Sequence, residues 1–224
     1  MPLENIHSVL GIGNCYIVER DEYSVLIDAG YHSDFKRIIK TLEVIASTKP
    51  PKYIIITHAH PDHMSTIEKI RAMYTIEVVS HENEKEYAEG KKFPKPKTLL
   101  ARGFACISNI LPTIRCSIDH TLANGDIFEG FRIYHTPGHT PGSIILEDPD
   151  SRAIFTGDTI LTNKKGTKIK KPSPVFSIDY DSALSNAVRV LSSTRPQFIF
   201  PGHGKPIINA KKAVNAFLTK FKVT

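Results

Sequence analysis

At 224 residues, with a formal net charge of +6 and 41% hydrophobic residues, the chain is long enough for one large domain with a substantial core, or for two small ones. No apolar run approaches the length of a membrane span, and Met1-Pro2-Leu3-Glu4-Asn5 does not begin a basic-then-apolar secretion signal, so a cytoplasmic location is expected. The cysteines Cys15, Cys106 and Cys116 are odd in number and unclustered, which argues against both a disulfide framework and a zinc knuckle.

Two strands, Asn14 to Glu19 and Tyr23 to Ile27, are expected around the polar turn Arg20-Asp21-Glu22. Ser33 is placed to cap a helix whose apolar positions Phe35, Ile38, Ile39, Leu42 and Ile45 share one face, stopped by Thr48-Lys49-Pro50-Pro51. A buried strand, Tyr53 to Ile56, follows. Ser65-Thr66-Ile67-Glu68 has the form of a capping box and predicts a short helix to about Tyr74. A strand at Ile76 to Val79 and a charged helix from Glu82 to Glu89 come next. Residues 91–120 read as a lid-like insertion, with the apolar stretch 98–111 between basic flanks, or equally as a packing helix. Strands are then predicted at Phe131 to His135, Ser143 to Glu147, Arg152 to Thr156 and Gln197 to Phe200. Asp179 or Asp181 can cap a helix carrying Leu184, Val188 and Leu191, and Ala210 to Phe221 reads as a terminal helix. Helices separated by several strands suggest layered sheets with helices outside rather than a simple βαβ array.

Basic residues concentrate in Lys91 to Lys97 and in Lys164 to Lys171, where five of eight residues are lysine. Such runs are ordinarily solvated loops, and they can also attract an anionic substrate. Neither is interleaved with stacking aromatics, so no nucleic-acid partner is expected.

The chemistry gathers at Thr57-His58-Ala59-His60-Pro61-Asp62-His63, where a strand ends. Residues two apart on an extended backbone face the same way, so His58 and His60 can share one ion. After the turn that follows Pro61, Asp62 and His63 can aim at a second point. Five apolar strands each run into a residue able to hold a metal: Asp28, His58, His139, Asp158 and His203. Imidazoles and carboxylates without thiolate suit zinc, iron or manganese.

These residues, with Thr136-Pro137-Gly138-His139-Thr140-Pro141-Gly142-Ser143 and Pro201-Gly202-His203-Gly204, resemble the metallo-β-lactamase superfamily of hydrolases from about Asn14 to Pro206. The resemblance implies an α+β fold, a four-layer αββα sandwich, over a single domain of residues 1–224. It implies His58, His60 and His139 on a first divalent ion and Asp62, His63 and His203 on a second, with Asp158 bridging. Zinc is the first expectation, and iron or manganese would also suit. Asp28 would orient the histidine loop without binding metal, and Asp62 and Asp158 are the residues expected closest to the reacting water.

Asp62 is absent from antibiotic-hydrolysing members of the common type. His60 stands where flavin-partnered reductases have glutamate. Only 21 residues follow His203, too few for the glutathione-binding helical region of glyoxalase II-like thioesterases. The expectation is a dinuclear hydrolase of a carboxylic ester, thioester or lactone, acting on a small acyl-containing or anionic molecule. A phosphodiesterase or nuclease on the same ions, and an iron-dependent persulfide dioxygenase-like enzyme, are the alternatives.

Overall fold

In a computed structural model, residues 3–93 and 114–221 are described. They divide into two compact units: 3–92 with 114–122, and Phe93 with 123–221.

The first unit is built on a six-stranded sheet of β1 (Ile6–Val9), β2 (Cys15–Glu19), β3 (Ser24–Ile27), β4 (Pro51–Ile55), β5 (Glu77–His81) and β6 (His120–Leu122), in that spatial order. The first three are antiparallel, and β3 through β6 are parallel. Parallel neighbours need crossovers. Here α1 (Phe35–Ala46) crosses from β3 to β4, while α2 (Pro61–Met64) and α3 (Ile67–Arg71) lie between β4 and β5; α4 (Glu82–Ala88) follows β5. A βαβ run from β3 to β6 is therefore joined to an antiparallel β1–β3 edge, giving the mixed sheet of an α+β fold with helices on the outside.

Alternation sends Ile17, Leu26, Ile54 and Val78 to one face, where they pack with Ile38, Leu42 and Ile45 of α1 and Ile67 and Ile70 of α3. Val18, Val25, Ile27, Ile55 and Val79 point the other way and are also buried. Burial on both faces is why these strands read as unbroken apolar runs instead of alternating ones.

The second unit carries β7 (Ile127–Phe128), β8 (Phe131–His135), β9 (Ile144–Asp148), β10 (Ala153–Gly157), β13 (Phe198–Pro201) and β14 (Ile207–Ile208), in the order β14-β13-β10-β9-β8-β7. Only β10 and β13 are parallel, and α5 (Tyr180–Thr194) lies between them in the chain. Ala187, Val190 and Leu191 of α5, with Val214, Phe217 and Leu218 of α6 (Lys211–Leu218), bury Ile145, Ile154 and Ile199. Phe131, Phe155 and Phe200 cluster on the opposite face, with Phe155 stacked on Phe200 at 5.0 Å between ring centroids. A separate hairpin pairs β11 (Leu161–Thr162) with β12 (Ile169–Lys170).

Several local expectations change. Ser33 lies in a 3-10 turn, and Asp34 takes the N-cap position of α1 without capping that helix through its side chain. Its carboxylate accepts instead from the backbone N–H groups of Ile12 and Tyr31 and from Arg37. Ser65 is the C-cap of α2 and donates to the Pro61 carbonyl, so no capping box forms there. Asp179, rather than Asp181, caps α5 by accepting from Ser182 N–H.

Of the expected lid, stretch 98–111 lies outside the described residues. Of the residues that follow it, Cys116 and Ile118 enter the first core and 120–122 form β6.

Candidate metal centre

In the first unit the parallel strands β3 and β4 end side by side, with Asp28 N–H donating to the Ile55 carbonyl at 3.0 Å. Asp28 has φ +61, a left-handed conformation that aspartate tolerates better than most residues. Its buried carboxylate accepts from Thr57 N–H at 2.7 Å, from the Thr57 hydroxyl at 2.8 Å and from His63 Nδ1 at 2.8 Å. Because the Thr57 hydroxyl donates to Asp28, its oxygen accepts from His58 Nδ1 at 3.0 Å. One carboxylate thus sets both tautomers by this hydrogen-bond logic, placing the proton on Nδ1 and the lone pair on Nε2 of His58 and His63.

His58 Nε2 comes within 3.1 Å of His60 Nδ1, and His63 Nε2 lies 3.8 Å from Asp62 Oδ2. The structure thus places the members of each of these two pairs close together. His58 and His63 are buried, while the Asp62 side chain is 25% exposed.

Two further contacts shape this loop. Ala59 N–H, between the first two histidines, donates to the buried Glu84 carboxylate of α4 at 2.6 Å. Gly13 sits so near the Asp62 carbonyl that a Cβ there would lie 2.0 Å from its oxygen. Reading 82–89 as a charged helix missed Glu84, since nothing in its spacing marks one glutamate as buried.

In the second unit β8, β10 and β13 run in the same direction, so the residues after them emerge along one edge. Asp158 Oδ2 is 3.5 Å from His139 Nε2 and 3.3 Å from His203 Nε2. One carboxylate oxygen thus faces an imidazole nitrogen from each of two loops. His139 Nδ1 meets Ser177 Oγ at 3.4 Å, which leaves Nε2 directed at Asp158. Gly138, at φ +139, packs against the start of α5; a Cβ there would lie 2.2 Å from Ala183 N. Gly202 N–H donates to the Gly157 carbonyl at 2.7 Å, joining the two strand ends that carry Asp158 and His203.

His135 is not directed at this edge: its Nε2 lies 2.9 Å from the Pro141 carbonyl. Of the described thiols, burial pushes Cys116 up to about 12 and Cys15 higher still, and neither joins the His and Asp groups placed to hold a metal.

The sequence profile of the metallo-beta-lactamase superfamily matches residues 9–203. The chain is 25% identical over 173 residues to the probable metallo-hydrolase YybB of Bacillus subtilis strain 168, covering 77% of this chain and 73% of that one. It is 27% identical over 208 residues to the hydroxyacylglutathione hydrolase GloC of Haemophilus influenzae, covering 92% of each. A crystal structure of TTHA1623 in a di-iron-bound form aligns with TM-score 0.67 and 25% identity, over 92% of this chain and 95% of that one.

Proposed function

Because the chain belongs to the metallo-β-lactamase superfamily, whose members are metal-dependent hydrolases, we propose that it hydrolyses a carboxylic ester, thioester or lactone at a dinuclear centre. The observation that carries this reading is the pair of donor sets, each oriented by its own buried partner: Asp28 and Thr57 behind His58 and His63, and Ser177 behind His139. In this reading His58, His60 and His139 hold one ion, Asp62, His63 and His203 the other, and Asp158 is shared. All seven belong to groups able to hold a metal ion. The profile match spans both units, which supports treating the chain as one functional domain.

Two divalent ions so held would acidify a water and polarise the acyl carbonyl. The chain's own groups supply the rest. Asp28 keeps both histidine tautomers correct without reaching the reacting atoms. Asp62, partly exposed, is the carboxylate proposed to hold the attacking water and take its proton. Asp158, fixed between two imidazoles, positions the water's oxygen.

Similarity to a hydroxyacylglutathione hydrolase over most of both chains favours the thioester among the three substrates. Zinc is proposed first on donor chemistry, and iron is equally compatible given the di-iron neighbour. A cytoplasmic site of action agrees with the free thiols of Cys15 and Cys116.

Metal analysis of purified protein, together with a panel of acyl thioesters, esters, lactones and phosphodiesters, tests the proposal. Two equivalents of metal are expected, with acyl turnover lost in His58→Ala and Asp158→Asn. Activity untouched by both substitutions contradicts it, and turnover confined to phosphodiesters replaces it with the phosphodiesterase alternative.

A further inference from the structure

A solvent-open surface groove of about 410 Å³ lies at the other end of the second sheet, lined by the exposed side chains of Arg152, Arg195, Gln197, Asn209, Lys211 and Asn215 among others. Arg152 and Gln197 precede β10 and β13, whereas Asp158 and His203 follow them. The five residues of β10 therefore separate the two ends by about 16 Å at ~3.3 Å per residue. The groove is not part of the metal-bearing edge.

Three of its residues, Arg152, Arg195 and Asn209, have φ values of +55, +43 and +66. Each ends a different element. Arg152 closes the turn before β10, its N–H donating to the Pro149 carbonyl at 3.2 Å. Arg195 is the left-handed C-cap of α5, and Asn209 joins β14 to α6. Backbone bonds draw them together: Gln197 N–H donates to the Arg152 carbonyl at 2.9 Å, and Ala210 N–H to the Gln197 carbonyl at 2.7 Å.

The lining contains two guanidiniums and an ammonium and no carboxylate. Among the described residues neither the Arg152 guanidinium nor the Lys211 ammonium has a hydrogen-bond or ion-pair partner. Arg195 spends one N–H on the Asn215 amide oxygen at 3.2 Å, which steadies its fork and leaves its other donors available. Lys211 opens the eight-residue helix α6, whose start has no side-chain cap and no acid in its first turn. Its amide N–H groups add positive potential to that of the side chains.

We infer that this groove binds a phosphate group, free or as a phosphomonoester, between Arg152, Arg195 and the start of α6. Planar guanidinium forks match phosphate oxygens in pairs, and the Asn209, Asn215 and Gln197 amides complete a polar wall.

Titration of zinc-loaded protein with inorganic phosphate, and separately with AMP, followed by two-dimensional amide NMR, tests this. Saturable shifts are expected at Gln197, Asn209, Lys211 and Asn215. Phosphate bound at the metal edge reports separately, near His139 and His203. Equal affinities would assign free phosphate and tighter AMP binding a phosphomonoester, and either supports the site. Arg152→Gln/Arg195→Gln should weaken binding at least tenfold. Lys211→Gln, at an exposed position, should weaken it about threefold and keeps the test open if the double variant does not fold. No saturable shift at these amides with either probe, or an affinity unchanged in Lys211→Gln and in the double variant, overturns the inference.

Discussion

Asp28 governs the histidine loop through hydrogen bonds alone. Its carboxylate accepts from His63 Nδ1 and from the Thr57 hydroxyl, which in turn accepts from His58 Nδ1. Asp28→Asn keeps size and tolerates the left-handed backbone, but it presents an amide donor to one of these partners. If that partner is His63 Nδ1, the proton moves to Nε2 and the lone pair proposed for the metal is lost. We expect about a 10–100-fold loss of metal affinity, measured by competition with a chelator. The metal-free protein should lose only about 1–3 kcal/mol in urea unfolding. Metal affinity equal to that of the parent protein would remove Asp28 from this role.

Turns rather than strands aim the second set of donors. Gly138 is held at φ +139 against the first turn of α5, where Asp179 N–H donates to its carbonyl at 2.8 Å. Gly138→Ala puts a methyl group against backbone atoms that cannot move away without shifting α5. A loss on the order of 2–3 kcal/mol is expected from the strained φ and overpacking. Metal binding should fall with it because His139 is the next residue, and an unchanged urea midpoint would contradict this account.

The β11–β12 hairpin is a second element with a role to test. Thr162 N–H donates to the His203 carbonyl at 3.2 Å, and the Thr162 hydroxyl to the Lys205 carbonyl at 2.6 Å. Asn163 folds the intervening turn, its side-chain oxygen accepting from the Thr167 and Lys168 N–H groups. Lys164, Lys165 and Lys168 are thereby carried on a turn anchored to the His203 loop. Replacing all three with alanine should raise KM several-fold for anionic substrates, with kcat and neutral-substrate KM little changed. Equal KM values across the ester and thioester panel would leave these lysines as a solvated face.

For the whole molecule, the proposed ligands run from His58 to His203 in the sequence, so metal binding is linked to folding of the chain. Counted for one ion alone, at free metal a thousandfold above its Kd, the linkage is worth about 4 kcal/mol. For a chain of this length that corresponds to roughly 10 °C in Tm. Thermal unfolding before and after treatment with a chelator should differ by about that amount, with recovery when metal is restored. A Tm indifferent to chelation would argue against the linkage.

The proposed ligand residues could be read from the sequence because they lie at, or a few residues beyond, the end of an apolar strand, so a short-range pattern carries both the strand and the donor it presents. The pairing of His58 with His60, and of Asp62 with His63, needed only the backbone periods of strand and turn. Other features depended on contacts between distant segments. Glu84 became a partner of Ala59 only when α4 was placed beside the histidine loop. The two-residue strands β7, β11, β12 and β14 are too short to show a period, and β1 lacks the uniformly apolar run of its neighbours. Asp34 is drawn from helix capping by the Ile12 and Tyr31 amides, one of them 22 residues away. The groove between Arg152, Arg195 and Lys211 is likewise assembled from three turns widely separated in the chain. The sequence by itself determined which residues are proposed to carry the chemistry, because donor type and strand-end position are local properties. Tertiary structure alone decided what orients them and which distant charges meet, because hydrogen bonds and shared grooves form only after the chain has brought remote segments together.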